Sequence, residues 1–168
     1  MESIILESQD TKFVAPLEPM IALSGSIKNV IEQRGYRECE EIPLNLDPKI
    51  LEKVIIFCKR AHENPQEFYE EPQDPENRRF GGREITEWER EFYNYKGKET
   101  PIEIMDVVAN LARASIYMLI DPLLNSTSNV IAKFIEGMKT EQLRELFGVV
   151  NDFEPGEEER IRAENEWI

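Results

Sequence analysis

The side chains able to do chemistry are few and scattered. The chain has one histidine, His62, and two cysteines, Cys39 and Cys58, that do not form a CxxC pair. A protein metal centre draws on several His, Cys or carboxylate ligands at set spacing, and no second histidine exists to join the first. Covalent catalysis needs a nucleophile held beside a base, and phosphate binding needs a glycine-rich loop after a strand; neither pattern occurs. Adjacent carboxylates such as Glu157-Glu158 could exchange protons, but with 34 acidic against 20 basic residues such pairs read as solvated surface. The expectation is a chain without catalytic residues, metal or cofactor. His62, at the end of a helix beside an acidic stretch, then complements the helix dipole.

Binding is the remaining class. A net charge of −14 repels nucleic acid and anionic membrane surfaces, so neither is expected as a partner, and proteins are the natural one. The same charge also keeps soluble proteins dispersed, so acidity alone does not decide for a binding role. No signal-peptide pattern opens "MESIILESQD" and no long apolar run follows, which points to a reduced compartment and two ordinary thiols rather than a disulfide. The 168 residues suit one domain, or one domain with a small appendage.

The final stretch, "NDFEPGEEERIRAENEWI", reads as a charged helix. Pro155 suits a first turn, Glu157 to Glu159 complement the positive end of the dipole, and Glu158 pairs with Arg162 one turn on. On a helical wheel Ile161 and Ile168 fall together, whereas Ala163 and Trp167 fall on another side. A second apolar face so near the end has little chain to cover it, and tryptophan is a frequent interface anchor. The competing reading folds Trp167 back on the helix that ends at Phe147.

The elements that position these residues follow from local pattern. Two apolar runs, Ile4 to Leu6 and Phe13 to Val14, flank Ser8-Gln9-Asp10-Thr11 and predict a β-hairpin. Two short helices follow, broken at Ser24-Gly25-Ser26, the second stopping at Gly35, and then a brief strand at Ile42 to Leu44. Asp47-Pro48 opens a helix whose Leu51, Val54, Ile55 and Cys58 share one face, which makes Cys58 a small core residue. Residues 63–84 carry prolines and acidic side chains without an apolar repeat and read as a mobile connector. Order resumes at "ITEWEREFYNY", where Trp88 and Phe92 share a helical face.

Thr100-Pro101-Ile102-Glu103 has the form of a capping box, and Ile104, Val107, Val108, Leu111, Ser115 and Met118 carry the stripe of the helix beyond it. Asp121-Pro122 starts another, presenting Leu124, Thr127, Ile131, Phe134 and Ile135 and ending at Gly137. A shorter helix runs from Thr140, whose hydroxyl supplies the cap, through Leu143, Leu146 and Phe147 to Gly148. Three consecutive amphipathic helices, 122–136, 141–147 and 156–168, thus follow a region able to make its own core. Their large apolar side chains exceed what thin helices hide from one another, which predicts an open groove.

These residues carry a resemblance. "IAKFIEGMKTEQLRELFGVVNDFEPGEEERIRAENEWI" is similar to the carboxy-terminal segment of the Skp1 family, with its asparagine-aspartate-phenylalanine, glutamate-run and glutamate-asparagine-tryptophan pattern. "SIILESQDTKF", "ILEKVIIFCKRAHENP", the acidic connector, "ITEWEREFY" and "ARASIYMLIDPLL" follow in the family's order, so the resemblance covers essentially the whole chain. It implies an α+β, BTB/POZ-type domain with a small mixed sheet over 1–121 and an F-box-binding helical extension over 122–168. The implied function is a non-enzymatic adaptor linking a cullin scaffold to F-box substrate receptors in an SCF-type ubiquitin ligase, cytoplasmic and nuclear.

By position, Leu124, Ile131, Ile135, Leu143, Leu146, Phe147 and Trp167 would line the F-box groove, and Ile116 and Tyr117 would face the cullin. The family's asparagine before the tyrosine is Ile116 here, and Met118-Leu119-Ile120 replaces its leucine-aspartate-isoleucine, which alters the cullin contact. Pro155 stands where some protist members carry a hydroxylated, glycosylated proline, although Gly156 follows it. Free of a receptor, an exposed groove favours a homodimer. The alternative is a BTB-like module of the elongin C type that self-associates or binds a different receptor class; those relatives lack terminal helices such as these.

Overall fold

The computed structural model describes residues 2–35, 41–68, 84–93 and 101–165, apart from the side chains of 101–103. Strands β1 (Ser3–Ser8) and β2 (Thr11–Pro16) form the expected hairpin, in register from Ser8↔Thr11 to Ser3↔Pro16. Its two loop residues, Gln9 and Asp10, both adopt left-handed φ, 44° and 66°, the twist that a two-residue hairpin requires. Alternation along β1 buries Ile4 and Leu6 on one face. Strand β3 (Glu41–Pro43) pairs parallel to β1 on its other side, giving a mixed sheet of order β2-β1-β3.

Helices α1 (Leu17–Leu23) and α2 (Gly25–Arg34) meet at Ser24, whose Oγ accepts the Ile27 N–H and caps α2. Gly35, at φ 75°, ends α2 where the sequence placed its stop. In α3 (Pro48–Glu63) the Asp47 carboxylate accepts from the N–H groups of Lys49 and Ile50, and Pro48 occupies the first turn. Leu51, Val54, Ile55 and Cys58 are buried on one face, as their spacing predicts. Removal from water pushes the Cys58 thiol up to about 12.

The connector expected from residue 63 is corrected at its start. Pro65–Glu67 form a 3-10 turn, Arg60 grips Glu67 through two nitrogens, and Phe68 is buried edge-on against Phe57 at 4.9 Å. An ion pair and one buried aromatic side chain thus tie down the start of an acidic stretch. Residues 69–83 lie outside the described residues.

Helix α4 (Glu87–Phe92) opens with a capping box that the sequence reading had located only at Thr100, which lies outside the described residues. Thr86 Oγ1 accepts the Glu89 N–H, and Glu89 Oε2 accepts the Thr86 N–H at 3.0 Å. Trp88 and Phe92 stack at 4.8 Å on the shared face predicted for them. Glu89 is fully buried, its other oxygen accepting the Ser126 hydroxyl at 2.5 Å, and Tyr93 Oη lies 2.9 Å from Ser126 Oγ.

Helix α5 (Pro101–Met118) buries Ile104, Val108, Leu111, Ser115 and Met118. Helix α6 (Asp121–Ile135) buries Pro122, Leu123, Ser126, Thr127 and Val130. The chain divides into two compact units, Met1–Phe134 and Ile135–Ile168. Every buried hydrophobic side chain among the described residues belongs to the first unit.

The second unit holds α7 (Thr140–Phe147) and α8 (Glu157–Glu164). Arg144 ties them, lying 5.3 Å over the Phe153 ring and 3.9 Å from Glu158. Two expectations are corrected here. Thr140 is the first helical residue rather than the cap: Lys139 takes that position, and its N–H is accepted by Gln142 Oε1 at 2.9 Å. Pro155 lies in a turn before α8, because Gly156 at φ 86° becomes the cap. The pairing of Glu158 with Arg162, at 2.9 Å, is as expected.

Candidate protein-binding surfaces

The first surface lies at the end of α5. A helix C-terminus leaves carbonyls without intrahelical partners, and here the start of α2 supplies them. Ser24 Oγ donates to the Met118 carbonyl at 2.8 Å, the Gly25 N–H to Leu119 at 3.1 Å, and Ser26 Oγ to Tyr117 at 2.9 Å. Three consecutive residues of the Ser-Gly-Ser break thus serve three consecutive carbonyls. Leu119 takes a left-handed φ of 54°, rare for leucine, and the main chain then returns through the Ile120 N–H to the Ser115 carbonyl.

The backbone is therefore pinned while its side chains face outward. Ile116 is 60% exposed, and Tyr117 and Leu119 are exposed beside it. Tyr117 Oη also accepts the Asn45 N–H, at a long 3.5 Å. The structure brings together the two residues predicted for a cullin-facing surface, Ile116 and Tyr117, and adds Leu119. The sequence signal for Leu119 was its apolar character just ahead of the Asp121-Pro122 helix start.

Helix α6 has two apolar faces. One packs inward through Leu123 and Val130, while Leu124 and Ile131, two turns apart, are only half buried. In the second unit Ile135, Leu143 and Leu146 are half buried and Phe147 is exposed. Exposed Val149, Val150 and Phe153 follow in the segment after α7, Val150 at 80%. These three were missed as site residues, although Phe153 sits within the quoted asparagine-aspartate-phenylalanine. Trp167 and Ile168 lie outside the described residues, and of the two α8 faces only Ile161, half buried, and Ala163, exposed, are described.

Among the described residues no group of three His, Cys, Asp or Glu side chains is placed to hold a metal ion, and no helix is long and apolar enough to cross a membrane. His62 sits in the last turn of α3, with Nε2 3.8 Å from Glu18 Oε1.

Two family models match this chain. Residues 2–63 match the Skp1 family tetramerisation domain, and residues 121–168 match the Skp1 family dimerisation domain. Among individual proteins, the SCF ubiquitin ligase complex protein SKP1a of Dictyostelium discoideum is 34% identical over 99% of this chain and 96% of its own length. The E3 ubiquitin ligase complex SCF subunit sconC of Talaromyces marneffei is 32% identical over 98% and 95%. Suppressor of kinetochore protein 1 of Schizosaccharomyces pombe is 32% identical over 97% and 94%.

Proposed function

This chain belongs to the Skp1 family, with an α+β fold of BTB/POZ type, and from that premise we propose that it is a non-enzymatic adaptor joining a cullin scaffold to F-box receptors. The observation that carries the reading is the state of the second unit: from residue 135 to 165 no described side chain is buried. Aliphatic and aromatic groups held on short helices without a core of their own suit a partner that supplies the missing layer. Leu124 and Ile131 on α6, Ile135, Leu143, Leu146 and Phe147, together with Trp167, are the proposed F-box contacts; Phe153 and Val150 join them. Ile116, Tyr117 and Leu119 form the proposed cullin contact, held in place by the Ser24-Gly25-Ser26 bonds.

The match of residues 121–168 to a Skp1 family model favours this reading over an elongin C-type module. The adaptor would work in cytoplasm and nucleus and would form a homodimer when no receptor occupies the second unit. Pro155, exposed in its turn, remains the proposed modification site, and intact mass from the native source tests it.

Titration of an F-box domain against Phe147→Ala and Trp167→Ala variants tests the groove. Each loses about 2 kcal/mol or more of binding free energy if it is an anchor. Losses below about 0.5 kcal/mol at both would remove these residues from the contact.

A further inference from the structure

Among the described residues no strand pairs with the outer edge of β2, and a cavity of about 1000 Å³ lies beside that edge. Main-chain bonds fix which groups face that edge. The Leu17 N–H donates to Glu2 and the Leu44 N–H to Glu7, so even-numbered residues of β1 bond toward β2 and odd-numbered ones toward β3. On β2, by the pairing register, Lys12, Val14 and Pro16 therefore turn their main-chain groups away from β1.

Open edges are ordinarily guarded by proline or by an outward lysine. Pro16 guards one end of β2 because it has no N–H. Lys12 does not guard the other, because its ammonium reaches across the sheet to Glu41 at 2.5 Å. Between them Val14 offers an N–H and a C=O, and its side chain is 70% exposed.

The cavity continues from Val14 between α1, through Ile21 and Ala22, and the last turn of α3. Its charge is acidic: Glu2, Glu18 and Glu63 stand against Lys59 and a His62 that already faces Glu18. The C-terminal end of α3 adds the negative pole of a sixteen-residue helix. Unpaired main chain, an apolar slot and an acidic rim coincide.

We propose that this edge takes an extended basic peptide segment of a partner protein by strand addition. The segment's main chain pairs with Val14, an aliphatic side chain enters beside Ile21 and Ala22, and a lysine or arginine reaches Glu18 and Glu63. None of its residues belongs to the α5 surface or to the second unit, so the proposal does not depend on the adaptor reading.

The test is amide chemical-shift titration of the intact ¹⁵N-labelled chain with an end-blocked peptide of about six residues alternating valine and lysine. Saturable shifts at Val14 and its neighbours are expected, with none from the same peptide N-methylated at alternate residues. Val14→Pro removes the outward N–H without touching a bond to β1 and should weaken binding at least about tenfold. Val14→Lys, which keeps the main chain but repels the peptide, should weaken it comparably. The proposal is overturned if the methylated peptide binds equally well, if shifts fall elsewhere or are absent, or if the same amides shift with protein concentration alone.

Discussion

Gly25 and Leu119, 94 positions apart, touch without room for a side chain between them: the Gly25 N–H donates to the Leu119 carbonyl at 3.1 Å, and a Cβ on Gly25 would lie 3.0 Å from Leu119 Cβ. The glycine here serves close approach rather than a special φ. The contact seats the exposed Ile116-Tyr117-Leu119 segment on the start of α2.

Gly25→Val should therefore destabilise the fold by about 1–3 kcal/mol through overpacking, read by urea denaturation, and should weaken cullin binding as the segment shifts. Tyr117→Ala removes an exposed side chain and one long bond from the Asn45 N–H while keeping the three bonds that pin the backbone. It should weaken cullin capture while F-box binding is unchanged, and unimpaired cullin binding would reject the assignment.

Ser126→Ala removes the hydroxyl that donates to buried Glu89 and approaches Tyr93. A buried polar group deprived of a partner costs about 1–3 kcal/mol, so the urea midpoint should fall accordingly. A change of a few tenths would mean that the remaining partners of Glu89 suffice.

Cys58 gives a prediction in pH. Burial holds its thiol neutral up to about 12 in the folded chain, whereas an unfolded thiol ionises near 8.5. Between those values the unfolded state has lost a proton that the folded state keeps, so this group's contribution to stability is full below the lower value and declines as pH rises through the window. Alkylation at mildly alkaline pH, mapped by peptide mass, should spare Cys58 in the folded chain and modify it once urea unfolds the protein. Fast modification of the native chain would contradict the burial argument.

What the sequence made legible was what neighbours in sequence decide. Asp47-Pro48, the Gln9-Asp10 turn and the Trp88/Phe92 pair are local chemistry, and each appears where its spacing placed it. Periodicity also found α6, but it named the half-buried face through Leu124 and Ile131. It did include Thr127, which is buried and donates to the Leu123 carbonyl one turn back, but not polar Ser126, which is buried with its hydroxyl donated to Glu89. Partners 37 residues apart leave no mark on a local pattern. Phe68 shows the same limit, since composition marked its surroundings as mobile while the partners that hold it, Phe57 and Trp88, come from α3 and α4. At Pro155 two local rules competed, and the glycine after it took the cap.

The account rests on residues beyond Val150 completing a receptor-binding face. The direct measurement is capture of an F-box domain by the intact chain and by the chain ended after Val150, with cullin binding of both followed as a check that the first unit is intact. Loss of F-box capture by tenfold or more, with cullin binding retained, is the predicted result; equal capture by the two chains would contradict it.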